Sequence, residues 1–175
     1  MGSTPNGADP IYYRMIHIAC YSKINDGMPK MPPSSSPGTK AGSSPPEPWN
    51  YGPETQAIIA DCLKERYRLL PYIERCAKAV SQQGSTLMRP LVFDFADDPE
   101  ALQQKYEYMF GPALLVSPVT EPGVTSWRTY LPRHEGGWYD YRTGQHYDGG
   151  QYVTTPVTRA HIPVFLRAGY KLDDK

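Results

Sequence analysis

Apolar residues recur every three or four positions between Pro53 and Gly84, which is the pattern of an amphipathic helix. Pro71 lacks the amide hydrogen that would bond to the carbonyl of Tyr67, so the helix should kink or split near Leu70. Gly84 is placed to end the helix as a C-terminal cap. Two adjacent stripes make the apolar face wide and predict a largely buried helix: Ile59, Leu63, Tyr67, Leu70, Ile73, Ala77 and Val80, beside Ile58, Cys62, Leu69, Tyr72 and Cys76.

Short β-rich apolar runs separated by turn residues fill the second half of the chain. The runs Leu91–Phe95 and Ala113–Val119 predict a pair of buried strands with a corner between them. The segment Trp138–Tyr147 predicts a hairpin that turns at Thr143 and Gly144. Strands of this density favour an antiparallel sandwich or a small barrel over alternating βα units. Further strands are expected at Ser126–Leu131, Gln151–Thr155 and Ile162–Leu166.

The first 52 residues carry a different pattern. Residues 1–10 have neither a basic patch nor an apolar core and are expected to form a flexible leader. Ile11, Met15 and Ile18 fall at helical spacing, which predicts a helix over Ile11–Tyr21. Residues 28–48 include seven prolines, five serines and two glycines, a composition that predicts a long loop. Such a loop inside a compact domain indicates a functional loop, a degraded region or a partner-binding segment.

Composition narrows the function classes. The 175 residues have the length of about one domain, and 18 basic residues balance 18 acidic ones, so no electrostatic footprint for nucleic acid or an anionic membrane is expected. No run reaches the length of a membrane span, which favours a cytoplasmic location. Three scattered cysteines predict neither a disulfide framework nor a metal site but small core residues: Cys20, Cys62 and Cys76.

Six ordered segments resemble the C-terminal blocks of one known family. They read, in chain order, EPWNYGPETQAII, ERYRLLPYI, MRPLVFDFADDP, YMFGPALLVSPVTEPG, WYDYRTGQHYDGG and RAHIPVFLRAG. The family that they resemble is glycoside hydrolase family 31, which contains α-xylosidases and α-glucosidases. The resemblance covers roughly residues 11–169, and the sequence of Glu47–Gly52 is most similar to the α-xylosidase branch.

The resemblance implies an α+β fold. N-terminal helices and the last strand would come from the end of a (β/α)8 barrel, and an antiparallel β-sandwich would follow. The expected division is a leader at 1–10, a partial barrel end at 11–100 and a β-sandwich domain at 101–175. The partial barrel end would contain the loop at 28–48 and the last barrel strand at 87–95.

The resemblance also implies that catalytic residues are missing from this chain. Retaining glycosidases need two carboxylates at opposite sides of the glycosidic bond. In the family both are aspartates on barrel strands that precede the matched region, and their motifs do not occur here. A sugar-binding Arg-x-His element of the family would fall at Asp26 and Met28, so its residues are not retained. We expect no catalytic residue, no metal and no cofactor.

Other candidate residues have ordinary structural interpretations. Three aspartates beside Pro99 are more typical of turns and helix caps than of an acid/base cluster: Asp94, Asp97 and Asp98. Three histidines lack metal-ligand spacing: His134, His146 and His161. Ser85 and Ser117 have no glycine elbow. Five aromatic residues are placed to form either a sugar-stacking face or ordinary cross-strand packing: Trp138, Tyr139, Tyr141, Tyr147 and Tyr152.

Three functions follow as hypotheses. The first is the C-terminal portion of a retaining α-glycosidase, inactive as an isolated chain because both carboxylates lie outside it. The second is a non-catalytic structural or interaction subunit, in which a second polypeptide pairs with exposed sheet edges. The third is a carbohydrate-binding module that holds an oligosaccharide on the aromatic face between Trp138 and Tyr152.

Overall fold

A computed structural model describes residues 53–121, 123–158 and 160–172, with the side chain of Thr55 left out. The predictions for residues 1–52 lie outside these residues, including the leader, the helix Ile11–Tyr21, the loop at 28–48, Cys20, Asp26 and Met28. Within the described part, two α-helices precede eight strands and two short 3-10 helices. The α+β class predicted from the sequence is confirmed.

The helices are α1, Pro53–Arg68, and α2, Leu70–Gln83. Pro71 lies in the first turn of α2, where its missing amide hydrogen has no helical partner to lose, so the predicted break near Leu70 is confirmed. The backbone hydrogen bonding continues across the break between the helices, because Leu69 N–H donates to the Glu65 carbonyl at 3.0 Å. Gly84 caps α2 in the left-handed conformation at φ 65°, as expected.

The second apolar stripe of the helix pair is buried, while the first is buried at Ile59 and Ile73 but exposed at Leu63, Tyr67 and Leu70. Cys62, Leu69 and Tyr72, from the second stripe, are buried, whereas in the first stripe Leu63 and Tyr67 are 47% and 73% exposed. The prediction of a largely buried helix is therefore wrong for α1. The β domain covers a single side of the helix pair among the described residues, and the periodicity of the sequence does not say which of two apolar stripes is covered.

The strands form two antiparallel sheets. The larger sheet has the strand order β1-β2-β3-β8-β5-β6, and β4 pairs with β7 in a second sheet. The strand bounds are β1 Met88–Pro90, β2 Tyr108–Phe110, β3 Leu114–Val116, β4 Ser126–Leu131, β5 Trp138–Asp140, β6 His146–Tyr147, β7 Gln151–Pro156 and β8 Val164–Arg167. The predicted hairpin is confirmed, since Trp138 faces Tyr147 and Tyr139 faces His146.

The strand predicted at Leu91–Phe95 is misplaced. The strand here is β1, which ends at Pro90 and pairs with β2, while Leu91–Phe93 is a 3-10 helix. The Leu91 carbonyl accepts hydrogen bonds from Asp94 N at 3.1 Å and Phe95 N at 2.9 Å. Leu91 and Phe95 are buried whereas Phe93 is exposed, which is helical rather than strand spacing.

The larger sheet is the middle of three layers. Phe110, Leu114 and Val164 pack with the helix pair on one face. Their neighbours Met109, Leu115 and Phe165 pack on the opposite face against the β4–β7 sheet and the 3-10 segments. Because successive strand residues point to opposite faces, a strand covered on both sides is apolar at every position. The β domain is therefore a sandwich, with the helices docked on its outer face.

Candidate functional site

The joint between the helix pair and the larger sheet centres on Tyr72. Its hydroxyl donates a hydrogen bond to the Phe110 carbonyl oxygen at 2.6 Å and accepts one from Ala113 N at 3.1 Å. Burial raises the pKa of Tyr72, because the phenolate would lose its hydration, so the hydroxyl stays protonated and keeps its donor role. One side chain therefore satisfies two backbone groups of the sheet.

Gly111 allows the close approach of α2 to the sheet. Its φ is 60°, in the left-handed region, and a Cβ built there would overlap the Tyr72 hydroxyl and lie 2.6 Å from Cys76 Sγ. The Gly111 N–H also donates to the Leu87 carbonyl at 2.6 Å. Glycine is required here both by backbone conformation and by space.

The joint continues to both sides of Tyr72. On α1, the Glu65 carboxylate accepts a hydrogen bond from the Tyr141 hydroxyl and forms a 3.0 Å ion pair with Arg68. On α2, the Arg75 guanidinium donates to the Leu172 carbonyl at 2.9 Å. Three contacts widely separated in sequence thus fix the helices on the β domain.

A cleft of about 730 Å³ opens beside this joint, between α1 and the β5–β6 hairpin. The α1 wall carries Asp61, Glu65 and Arg68, and the hairpin wall runs from Asp140 to Tyr147. Segments at Thr154–Pro156 and 160–164 complete the lining. This joint cleft, as we call it, is a concave feature within the described residues that has room for a ligand.

Each carboxylate of the joint cleft already forms a hydrogen bond or an ion pair within the chain. Asp61 pairs with Lys64 at 2.9 Å, and Glu65 is held by Tyr141 and Arg68. Asp140 Oδ1 accepts hydrogen bonds from the backbone of Arg142 at 3.0 Å and Thr143 at 2.7 Å, which closes the hairpin turn. A nucleophile and an acid for glycoside cleavage are not provided by groups that are already engaged in this way.

Glu107 is the described carboxyl group with the most perturbed acidity. Burial raises its pKa to about 7, although the hydrogen bond from Tyr130 N at 2.9 Å acts in the opposite direction. Such a pKa is typical of a general acid. However, Glu107 is only 8% exposed and does not line the joint cleft, so a substrate has no access to it. We interpret it as a buried acid of the sandwich.

The predicted structural roles of the three aspartates are confirmed for Asp98 and differ for Asp94. Burial alone would raise the pKa of Asp98, but hydrogen bonds from Arg133 N at 2.9 Å and the Tyr130 hydroxyl at 2.9 Å hold it below its usual value. Asp98 Oδ1 also accepts from Ala101 N at 3.4 Å, as a helix cap does. Asp94 forms a 3.0 Å ion pair with Arg89, and Asp97 is exposed.

Among the predicted histidines and aromatic residues, His161, Tyr141 and Tyr147 line the joint cleft, and the others lie outside it. His134 and His146 approach the carbonyl oxygens of Ala168 at 3.2 Å and Gly136 at 2.8 Å. Trp138 is 0% exposed, and its indole N–H donates to the Pro132 carbonyl at 2.8 Å. An aromatic face that includes Trp138 is therefore wrong, because this ring lies in the sandwich core.

The described residues contain neither a metal-binding cluster nor a helix suited to span a membrane. No group of three histidine, cysteine, aspartate or glutamate side chains is arranged to hold a metal ion in residues 53–121, 123–158 and 160–172. None of the helices in the same residues is long and apolar enough to cross a membrane. Cys62 and Cys76 are buried, consistent with their predicted place in the core.

Family models match both parts of the structure. The model described as glycosyl hydrolase family 31 C-terminal domain matches residues 84–172, just over half of the chain. The model described as glycosyl hydrolases family 31 TIM-barrel domain matches residues 31–75. The chain therefore belongs to glycoside hydrolase family 31. It comprises the end of the barrel region and the C-terminal domain, and the joint at Tyr72 connects them.

Individual relatives agree with this assignment. The chain is 44% identical over 125 residues to an α-xylosidase from Saccharolobus solfataricus and 42% identical over 123 residues to human neutral α-glucosidase C. These matches cover 71% and 70% of this chain but 17% and 14% of the relatives. A family 31 α-xylosidase from a soil metagenome, solved in complex with xylose, shares 33% identity with a TM-score of 0.76. That match covers 91% of this chain and 25% of the solved chain.

The residues that build the joint were not recognisable as a site from the sequence. Tyr72 lies on a predicted apolar stripe, but its two hydrogen bonds depend on a sheet that pairs nearly forty residues later. Glu65 and Tyr141 meet across a separation of 76 residues. A glycine beside a proline at Gly111 was the available signal, since such a pair often marks a special backbone conformation.

Proposed function

We propose that this chain is the C-terminal portion of a retaining α-glycosidase that hydrolyses α-xylosides or α-glucosides, and that the isolated chain has no hydrolytic activity. Both substrate classes stay in the proposal, because the named α-xylosidase and α-glucosidase relatives are 44% and 42% identical to this chain. The bond-breaking carboxylates would belong to barrel residues beyond these 175.

The Tyr72 joint is the observation that carries this proposal. A helix of the barrel region is held on the sandwich because the Tyr72 hydroxyl donates a hydrogen bond to the Phe110 carbonyl and accepts one from Ala113 N. An isolated sandwich domain would not need buried hydrogen bonds of this kind to an additional helix. The contact supports a role in which the sandwich holds the last barrel helices in place, because a displacement of about 1 Å in a supporting element is enough to reduce catalysis strongly.

The hydrogen bonding and burial of the carboxylates support the proposal that the isolated chain has no hydrolytic activity. Retaining glycosidases place two carboxyl groups about 5–5.5 Å apart on either side of the reacting carbon. In the joint cleft, the Glu65 carboxylate accepts a hydrogen bond from Tyr141, and the Asp140 carboxylate accepts hydrogen bonds from the turn backbone. Glu107, whose pKa suits an acid, is buried beneath the sandwich. Each carboxylate that lines the joint cleft therefore already has a partner, Lys64 in the case of Asp61.

A chimera tests whether the chain can serve an active enzyme. The matching part of the Saccharolobus α-xylosidase would be replaced with residues 53–172 of this chain, and the hydrolysis of an aryl α-xyloside measured. We expect activity within about tenfold of the parent enzyme, since the joint is brought along intact. A control chimera with Tyr72→Phe should lose thermal stability. A folded chimera without activity, as judged by circular dichroism, would contradict the proposal.

A non-catalytic structural or interaction subunit is the second candidate. Leu63 and Tyr67 form an exposed apolar stripe on α1, and β4 and β7 each have one strand edge unpaired within the described residues. Unpaired edges and apolar stripes are surfaces that a second polypeptide can cover.

Light scattering separates the two candidates. A subunit that works by association should be found as a dimer or larger species at micromolar concentration. The double variant Leu63→Ser, Tyr67→Ser should then return it to a monomer, whereas Lys64→Ser on the same helix should not. A monomeric chain whose chimera is active counts against the second candidate.

A further inference from the structure

We propose that the joint cleft binds a neutral oligosaccharide. This inference goes beyond the proposed function, because binding in the cleft requires no barrel and no hydrolysis. It also replaces the aromatic face around Trp138, which is buried, as the place where this chain would hold a sugar.

The size of the cleft suits a ligand of several rings. Ligand pockets in proteins usually measure about 300–1,000 Å³, and the joint cleft measures about 730 Å³. It lies between two elements that are fixed to each other by the bond from Tyr141 to Glu65. A preformed cleft loses less entropy when it binds a ligand than one that must first be assembled.

The polar groups of the cleft alternate in charge. Asp61, Glu65 and Asp140 keep acceptor lone pairs beyond those that their present partners use, while Arg68, which is paired with Glu65, and Arg142 bring donor nitrogens. A sugar hydroxyl can donate to a carboxylate and accept from a guanidinium at the same time. Three negative and two positive groups give no strong net field, which disfavours phosphorylated or other highly charged ligands.

Tyrosine rings supply the apolar part of the recognition. Tyr141 and Tyr147 line the cleft and are each half-buried. Aromatic rings with a polar tip suit ligands that have both C–H and hydroxyl surfaces, as pyranose rings do. Tyr147 is held by its edge-on contact with Phe165, with ring centroids 6.0 Å apart.

Two groups remain available for a ligand. The Arg142 guanidinium lines the cleft and forms no ion pair with a carboxylate of the described residues. Thr155 also lines the cleft, and its side-chain oxygen, although the residue is only 6% exposed, has no hydrogen-bond partner in the part of the chain that the structure describes. A buried hydroxyl without a partner is costly, and a ligand hydroxyl would satisfy it.

Nuclear magnetic resonance of the complete 175-residue chain tests the inference. The ¹⁵N-labelled protein would be titrated with maltotriose and with an α-xylosyl glucose disaccharide, up to about millimolar concentrations typical of weak sites. We expect saturable shift changes at residues 140–147 and 154–156. Shifts spread over the whole surface, or no shifts at these concentrations, would overturn the inference.

Matched arginine variants locate the site. Arg142→Ala should weaken binding by about tenfold or more, since it removes a charged donor. Arg128→Ala is the control, because Arg128 is also exposed but lies on β4 and stacks on Tyr152, outside the cleft. Equal effects of the two variants would overturn the assignment, and so would tighter binding of methyl phosphate than of maltotriose. An inactive chimera would refute the proposed function while leaving this binding result unaffected.

Discussion

Tyr72 donates a hydrogen bond of 2.6 Å to the carbonyl oxygen of Phe110, thirty-eight residues further along the chain. The same hydroxyl accepts from Ala113 N, so one atom of α2 satisfies two backbone groups on either side of the turn that joins β2 to β3. This contact places the last barrel helices on the sandwich, and the stability of the joint should depend on it more than on any exposed ion pair.

Tyr72→Phe should destabilise the chain by about 2 kcal/mol or more, because two buried backbone groups lose their partner while the ring is kept. Urea unfolding followed by circular dichroism measures this change. Tyr67→Phe is the matched control on the same helix pair, since Tyr67 is largely exposed, and it should change the free energy of unfolding by less than about 0.5 kcal/mol. Equal effects of both variants would show that the Tyr72 hydroxyl is not a structural bond.

Gly111→Ala should be more harmful than an ordinary glycine substitution. It combines a left-handed backbone with overlap against Tyr72 and Cys76. Gly144 has a similar φ of 73° but open space around it, so Gly144→Ala isolates the backbone strain, which is about 1 kcal/mol. Thermal unfolding should show a clearly larger loss for Gly111→Ala, and a loss no greater than that of Gly144→Ala would argue against close packing at the joint.

Glu107 should make the sandwich less stable as the pH rises. Its folded pKa of about 7 lies above the ordinary value of 4.5, so the folded state binds the proton more tightly. The free energy of unfolding should therefore fall between about pH 4.5 and pH 7, by on the order of 3 kcal/mol from this group alone.

Glu107→Gln removes this dependence and tests it. The variant should match the wild type near pH 4.5 and be more stable at pH 8, as measured by urea unfolding across the pH range. The exposed Glu135→Gln serves as a surface control. A stability difference that does not grow with pH would show that Glu107 is ionised in the folded chain.

Asp98→Asn should weaken the link between the second 3-10 helix, Ala101–Gln103, and the β4 region. The new amide cannot accept from Arg133 N and the Tyr130 hydroxyl as the carboxylate does, so a loss of about 2 kcal/mol is expected near pH 7. Because the folded pKa of Asp98 is lowered, this stabilisation is complete above its ordinary value of 3.8 and is lost as the pH falls through the folded value. Asp97→Asn, on an exposed neighbour, should have little effect at either pH.

The sequence predicted an element correctly where its residue pattern was compatible with a single local structure. The predicted strand Ser126–Leu131 has the same bounds as β4, although its last three residues are all buried rather than alternating. The hairpin from Trp138 was also predictable, since Gly144 supplies the positive φ that its turn needs. Pro71 and Gly84 marked helix ends for similar local reasons.

The sequence was ambiguous where short apolar runs could suit two structures. Leu91–Phe95 has strand-forming composition, yet Leu91 and Phe95 are buried together one helical turn apart. Five residues are too few to distinguish a buried strand from a helical turn by periodicity alone. The strand that does form, Met88–Pro90, has two exposed positions and gave no clear pattern.

The candidate site was beyond sequence reasoning for a different reason. The walls of the joint cleft come from α1 and from a hairpin more than seventy residues later, so no local spacing brings Glu65 and Tyr141 together. The family resemblance correctly indicated the fold and the family, because both are carried by sequence segments that occur in the same order along the chain. The Tyr72 joint depends on how the blocks pack.

Hydrolysis by the purified 175-residue chain is the measurement that tests the central claim most directly. The chain would be incubated with 4-nitrophenyl α-xyloside and α-glucoside across pH 4–8, beside the active chimera as a positive control. We predict nitrophenol release equal to that in buffer, because the carboxylates that line the joint cleft are already bonded to Lys64, Tyr141 and the turn backbone. Release that co-purifies with the chain through two chromatographic steps, and that falls when Asp61 or Glu65 is changed to the amide, would contradict the claim.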